Sequence, residues 1–387
     1  MARRGMVSDA LERQYEATGL PIPKALQEFR SGARAVTTGH QLVLMGGPAF
    51  FQYKILSAIR WAKTLSDSGI SAVPVFWLAS EDHDFEEISQ VFSQGNEAFC
   101  WQPTEDPKGK AVGRLLWTQE DEKALRHWAN ANGVLPGFFS EPFESMPLSQ
   151  RVRRWVHGMF GEHEILVIDG DDPELKKEAM HLWNAEWTGQ GIADALKEST
   201  SELEELGWKA QLRLQPNNLF HLSEDGRRIR SDRWGAEKEK MAWKSVPAAN
   251  WSPNAALRPI YQEFLVESAA VVGGPGEVAY WLQLKCAFEH HKIELPALML
   301  RDGAMVWSSE QAQQAQSVGW TPASGAWSGS DASARWVSMQ MEPEDEMQQA
   351  WNRWGEVLEA HANGVGREAV PTTLAALKQM EKEWMRL

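Results

Sequence analysis

The sequence predicts an α/β protein built on a mostly parallel sheet. Three stretches carry that expectation, each a short apolar run that ends in a glycine- or aspartate-rich loop and leads toward a helix. Val73-Pro74-Val75-Phe76-Trp77-Leu78-Ala79 runs into Ser80-Glu81-Asp82-His83-Asp84. Ile165-Leu166-Val167-Ile168 runs into Asp169-Gly170-Asp171-Asp172-Pro173, and Ala269-Ala270-Val271-Val272 into Gly273-Gly274-Pro275-Gly276. In such sheets ligands bind beyond the carboxyl ends of the strands, which directs attention to these loops.

In chain order, residues 1–35 read as a helical lead-in broken by Pro21 and Pro23. A helix begins at Pro48, whose missing N–H would have no partner there, and Phe51, Ile55, Ala58, Ile59, Ala62 and Leu65 fall on one face. Val112–Leu116 reads as a strand, and 121–160 as helix in pieces. A charged helix starts at Glu174 and another covers Ala193–Leu206. Asp225-Gly226-Arg227 marks a hairpin turn, and Ser252–Pro259 opens a helix or ordered loop. Glu277–His291 reads as one helix and Leu295–Leu300 as a last strand. Residues 308–342 are rich in Ser, Gln and Gly, the composition of a linker or irregular arm. Residues 343–387 are helical in pattern, and Leu374, Leu377 and Met380 begin the apolar stripe of a coiled coil.

Composition narrows the function classes. A net charge of −14 argues against general nucleic-acid binding, which needs a basic surface to neutralise phosphates. Two cysteines, Cys100 and Cys286, fit a reducing, cytoplasmic setting and exclude a disulfide framework. The first residues lack the apolar core of a signal peptide, and no apolar run is long enough to span a membrane. The 20 tryptophans are scattered, which reads as packing and not as a membrane belt.

Several motifs can carry chemistry. Gly-Gly-Pro occurs at 46–48 and 273–275, each before a helix and each followed at the same offset by a tyrosine, Tyr53 and Tyr280. A glycine turn lets backbone approach a ligand, and the first amides of a helix can bind an anion; equally, glycine and proline simply start helices. Ser80-Glu81-Asp82-His83-Asp84 gathers three carboxylates and an imidazole. Such a group can bind a divalent cation such as Mg²⁺ or act as acid and base around an amine, and mutual repulsion would hold one carboxyl protonated toward neutrality. Helix capping accounts for some of these residues but not for a histidine among them. Arg258, Lys285 and Arg301 are cations that could hold a carboxylate or phosphate; Lys285 also reads as a solvated helix charge. Cys286 reads as core packing.

Taken together, Thr37-Thr38-Gly39-His40-Gln41, Gly47-Pro48, Tyr53-Lys54-Ile55, Pro74–Trp77 and Ser80–Phe85 resemble the signature of one family, the bacillithiol biosynthesis cysteine-adding enzymes (BshC). Val112-Gly113-Arg114, Ser252-Pro253-Asn254, Arg258-Pro259, Gly273–Trp281, Gln283–Lys285 and Leu300-Arg301 extend the resemblance over about residues 30–305. The family usually has glutamine where this chain has His40, and its members are longer, with a long antiparallel coiled-coil arm that here stops after its first helix has begun. The resemblance implies a nucleotidyl-transferase-like Rossmann core with inserted connecting segments over 1–307, and addition of cysteine to glucosaminyl malate. It also implies a homodimer through the C-terminal arm, if that arm suffices. A free carboxylate does not condense with an amine unaided, so ATP is the expected cosubstrate, activating cysteine as adenylate or acyl phosphate.

On this reading Thr38, Gly39, His40, Gln41 and the amides after Gly46-Gly47 hold nucleotide phosphates, with Tyr53 and Lys54 behind them. Asp82, His83 and Asp84, following Ser80, position or deprotonate the sugar amine. Asn254, Arg258, Gly273, Gly274, Gly276, Glu277, Tyr280, Lys285 and Arg301 close the other side, against cysteine or malate. Two alternatives stand beside it: a nucleotidyltransferase acting on another small acid, and a non-catalytic relative serving as a binding subunit.

Overall fold

Eight strands build the central sheet and the small sheet beside it: β1 Arg34–His40, β2 Ala72–Leu78, β3 Leu166–Asp169, β4 Leu219–Leu222, β5 Arg228–Arg230, β6 Trp251–Pro253, β7 Ser268–Gly273 and β8 Ala297–Leu300. The computed structural model describes residues 2–93, 97–133, 143–230, 246–304, 307–317, 319–320 and a few positions between 353 and 360. It divides into two compact units, Met1–Gly303 and Ala304–Leu387.

In the first unit, five strands form one sheet in the order β8-β7-β1-β2-β3, every pair parallel. Counted among themselves they run fifth, fourth, first, second, third, which is the Rossmann order, with its switch point between β1 and β7. β2 is buried at every position, because a central parallel strand is covered on both faces; this is why it reads as a continuous apolar run. Val73, Val75 and Trp77 enter one core, beside Leu11 and Tyr15 of helix α1 (Ala2–Glu16). Phe76 and Leu78 enter the other, with Phe51 and Ile55 of α2 (Ala49–Asp67) and Val152 and Val156 of α3 (Leu148–Phe160). Trp77, Trp117, Trp155, Trp183, Trp251 and Trp281 are all fully buried, as the packing reading requires.

The two acidic loops, after β2 and β3, lie against each other. Helix α4 (Pro173–Glu178), which precedes α5 (Ala193–Glu205) in the chain, is capped by Asp172 and delivers Lys176, which has no exposed surface. Its ammonium pairs with Glu81 at 2.7 Å and with Asp171. Arg114 grips Asp171 from the other side at 2.5 Å, and Ser80 donates to Asp169. Gly170 is needed for this approach: a Cβ there would stand 2.2 Å from the Trp77 ring. The Tyr261 hydroxyl donates to the Gly170 carbonyl at 2.8 Å, closing the loop from above.

Some sequence expectations change in detail. Val112–Arg114 is a 3-10 turn and not a strand, because the Val112 and Gly113 amides donate to the carbonyls of Asp82 and Ser80. Gly113 packs so closely that a Cβ would meet Ser80 at 2.5 Å. The helix read over Glu277–His291 is two, Pro275–Leu282 and Lys285–His290, divided at Gln283, whose side chain bonds the chain at Gln211 and Leu212. β4, β5 and β6 form a separate antiparallel sheet in the order β6-β4-β5, its hairpin turning at Gly226 (φ +82°).

In the second unit, the Ser- and Gln-rich stretch opens with a helix, Ser309–Ser317. The coiled coil expected over 343–387 lies outside the described residues except for those few positions. No helix among the described residues is long and apolar enough to cross a membrane.

Removing Lys176 would leave Glu81 buried without its cation and Asp171 with Arg114 alone. Lys176→Met is therefore expected to cost about 3–5 kcal/mol, read from urea denaturation; a midpoint equal to wild type would show that the loops are held by other means.

Candidate functional site

A cleft of about 350 Å³ opens at the carboxyl ends of β1 and β2, on the switch-point side of the sheet. The end of β1 brings Gly39, His40 and Gln41 to its wall. A Cβ on Gly39 would meet the Trp77 carbonyl tightly, at 3.3 Å, and the Arg258 guanidinium at an ordinary 3.7 Å. Lys54, buried on α2, donates to the Gly39 carbonyl at 2.5 Å and pairs with Glu277 at 2.6 Å. Through that pair α2 is tied to the helix that follows β7.

His40 packs against the rings of Phe50 and Phe51. Burial, and then the charge of Lys54, lower its imidazole to about 4, so it is neutral at pH 7. Its Nδ1 faces the Gln41 carbonyl at 3.1 Å, and a carbonyl only accepts. The proton is thus on Nδ1, and Nε2 presents a lone pair. In this state His40 offers a phosphate no donor.

Asp82 is the most constrained carboxylate of the cleft. Oδ2 accepts from Gln41 Nε2 at 2.9 Å, and Oδ1 from the amides of His83 at 2.7 Å and Asp84 at 3.3 Å. Burial pushes its carboxyl up, but the bonds from Gln41 and the His83 amide and the charge of Arg228 pull it down, below the usual carboxylate range. The carboxyl of this cluster that burial pushes upward is Glu81, and burial raises Asp169 of the neighbouring loop as well. His83 is exposed, and Asp84, also exposed, does not line the cleft.

On the far wall, Arg258 of α6 (Leu257–Val266) donates to Gln262 at 2.8 Å and to the Tyr280 hydroxyl at 3.0 Å. Burial lowers its pKa, but Tyr280 and Glu277 more than offset this and the net direction is upward. Glu277 and Tyr280 come from α7 (Pro275–Leu282). Asn254 lines the cleft too, but its Oδ1 is occupied by the amides of Ala256 and Leu257, so it orders the start of α6.

A scan of the sequence against protein families matches residues 1–302 to the N-terminal Rossmann-like domain of bacillithiol biosynthesis BshC. The chain belongs to the BshC family. Relatives named "Putative cysteine ligase BshC" include one from Flavobacterium psychrophilum, 31 % identical over 82 % of this chain and 62 % of its own length. One from Christiangramia forsetii is 33 % identical over 71 % of this chain and 55 % of its own. A third, from Cytophaga hutchinsonii, is 31 % identical over 80 % and 60 %. The chain thus spans 55–62 % of the length of these curated relatives.

Several residues singled out in the sequence stand away from this BshC cleft. The Thr38 hydroxyl is buried and donates to the Val272 carbonyl at 2.8 Å, joining β1 to β7. Ser80 is likewise spent on Asp169. Gly46 and Gly47 serve a tight turn of positive φ, packed on Met159 and Val43, and do not line the cleft. Tyr53 is half-buried on α2, also outside it. Gly273, Gly274 and Gly276 shape the β7–α7 turn behind Glu277 without lining it. Lys285 is a surface partner of Glu202 at 3.1 Å, and Arg301 lies over Phe50 beside Gly274.

One cleft residue escaped the sequence reading. Arg228 opens β5, donates to His83 Nδ1 at 2.9 Å and to the Pro253 carbonyl at 2.7 Å, and lies over the Phe220 ring. Because a guanidinium only donates, His83 Nδ1 accepts and its proton is on Nε2. The 3.6 Å approach of that Nδ1 to Asp82 is therefore not a hydrogen bond in this tautomer.

The His40 environment has a measurable consequence. Its folded pKa lies below the ordinary 6.5, so between about 6.5 and 4 the unfolded chain takes up a proton that the folded chain refuses. Stability is present above this window and is lost as pH falls through it. His40→Gln should lose less urea stability than wild type between pH 7 and 4.5, with some slope left from His221 and His291, both also near 4. Equal slopes would place His40 in water.

Proposed function

We propose that the chain is a cysteine ligase that joins L-cysteine to glucosaminyl malate, the amide-forming step that yields bacillithiol, with ATP activating the cysteine carboxylate. The observation that supports this reading most is the cleft at the Rossmann switch point in a BshC-family chain, lined by the Asp82 carboxylate with Arg228 near it and by Arg258 on the far wall. Small acids and nucleotides bind at that place in open α/β sheets.

The residues suggest a division of labour. Asp82 is ionised far below neutrality, so it is a poor proton acceptor at pH 7 and a good fixed anion. Its role is to bind the sugar amine as ammonium and orient it toward the activated carboxyl; the nitrogen attacks once it has released a proton to water, and the activating phosphate or nucleotide leaves as the amide forms. Holding two reactants in line is itself a large share of the acceleration in such a step. Lys54, beside the Gly39–Gln41 turn, lines the place where the nucleotide phosphates are proposed to lie, its charge shared with Glu277. Both Asp82 oxygens already accept protein donors, so Mg²⁺ enters this proposal only as a companion of the nucleotide phosphates, and no step is routed through it. Cysteine, glucosaminyl malate and ATP are thus the partners proposed.

Asp82→Asn keeps the shape and one acceptor oxygen for the loop amides while removing the charge. Turnover of cysteine, glucosaminyl malate and ATP to the amide product, followed by mass spectrometry, should fall by about 100-fold or more, with the melting temperature little changed. Undiminished turnover in the folded variant would remove Asp82 from the mechanism; absence of product from the wild-type chain with all three substrates would remove the ligase reading.

A further inference from the structure

A second cavity, of about 300 Å³, lies beyond the carboxyl end of β3 and shares no lining residue with the cleft. Helix α1 walls it with Arg13 and Gln14, α3 with Ser149, Gln150 and Arg153, and the loop after β3 with its three aspartates. Several of these groups are spent on the protein. Gln14 accepts from Arg153 at 2.5 Å and from the Asp169 amide at 2.9 Å, and donates to the Asp169 carbonyl and to Asp172 Oδ2. Arg153 also donates to the Val167 carbonyl, and its charge faces Asp169 and Asp172. Asp172 Oδ1 caps α4, and Asp171 is held by Lys176 and Arg114.

Four groups keep capacity. Asp169 Oδ1 takes the Ser80 hydroxyl and the Asp171 amide, but Oδ2 has no hydrogen-bond partner among the described residues. Burial first, and then the charge of Asp171, raise this carboxyl, against the opposing pull of Ser80, the Asp171 amide and Arg153. A further positive charge at Oδ2 would favour its ionised form. The Arg13 guanidinium is exposed and has no ion pair among the described residues. The Ser149 hydroxyl, on a residue 8 % exposed, and the Gln150 amide are likewise unbonded there.

We propose that this cavity binds a small zwitterion of the α-amino-acid type, its ammonium on Asp169 Oδ2 and its carboxylate on Arg13, with Ser149 and Gln150 completing the hydrogen bonds. Both contacts are charge-assisted, and the planar guanidinium fork matches a carboxylate in two parallel bonds. A simple anion would meet repulsion from Asp169 and Asp172, and a simple cation from Arg13 and Arg153; a zwitterion satisfies both signs. A metal ion suits the place poorly, because the other two aspartates of the loop are already occupied. The site lies behind the loops that wall the cleft. Asp169 Oδ1 holds Ser80, two residues before Asp82, so a ligand on Oδ2 bears on the cleft through that one carboxylate. This makes it a regulatory site, and it needs no part of the ligase reading.

The test uses L-alanine as the probe, with propionate and ethylamine as its two singly charged halves, in calorimetric titrations of the whole chain. Alanine should bind at least about 10-fold tighter than either half, and Arg13→Gln and Asp169→Asn should each remove that advantage. Asparagine keeps an oxygen for Ser80 and the Asp171 amide; should that variant still fail to fold, Arg13→Gln decides, since Arg13 is exposed. Asp82→Asn and Arg258→Gln, changes confined to the cleft, should leave alanine binding as it is. Alanine no tighter than its halves, no alanine binding at millimolar concentration, or undiminished affinity in either folded cavity variant would each overturn the site. Binding abolished by the cleft variants would overturn it too, by placing the amino acid in the cleft. Alanine binding that depends on Arg13 and Asp169 upholds it even if no amide product forms, in which case the ligase reading alone falls.

Discussion

A single buried ammonium organises the cleft end of this molecule. Lys176 stands between Glu81, from the loop after β2, and Asp171, from the loop after β3, with no access to water. Burial raises the Glu81 carboxyl, whereas for Asp171 the charges of Lys176 and Arg114 prevail over burial and lower it. Such an arrangement is not a cheap source of stability, since desolvating three charges consumes much of what their attraction returns. What it fixes is geometry. Glu81 is held in the network by Lys176 and the next residue, Asp82, by Gln41, so two successive carboxylates are fixed along the cleft wall.

The rest of the cleft depends on similarly short connections. Lys54 ties the end of β1 to Glu277 of α7 across the switch point, and Gln41 ties the same end to Asp82. The two walls are therefore set relative to each other by side chains from four segments of sequence, with Gly39 passing close to the Trp77 carbonyl. The consequence is a polar site whose donors and acceptors are largely pre-positioned, the condition under which electrostatic stabilisation is most effective.

Much of this was legible in the sequence because it is local. The strand–loop–helix units gave the parallel sheet, and residues 36–85 contain Gly39, His40, Gln41, Lys54 and Asp82, which do meet. What could not be read was the partnership across long separations. Arg228 is 145 residues from His83, on a hairpin whose Ser223–Arg228 turn looks like ordinary solvated surface until the small sheet is placed over the cleft. Lys176, in a run of helix charges, carried no mark of full burial. Conversely Thr38, Gly46 and Gly47 belong to motifs of the right kind, yet burial and packing consume them: a hydroxyl facing a neighbouring strand and glycines pressed on Met159 and Val43 are unavailable to a ligand.

Where the reactants bind decides whether this cleft is the site of chemistry. The most direct measurement is a crystal structure of the chain grown with glucosaminyl malate and a non-hydrolysable ATP analogue. Both ligands are expected in the cleft beyond the ends of β1 and β2, the sugar amine at Asp82 and the phosphates near Gly39–Gln41. Ordered ligands at another face of the molecule, with the cleft holding only water, would contradict that assignment.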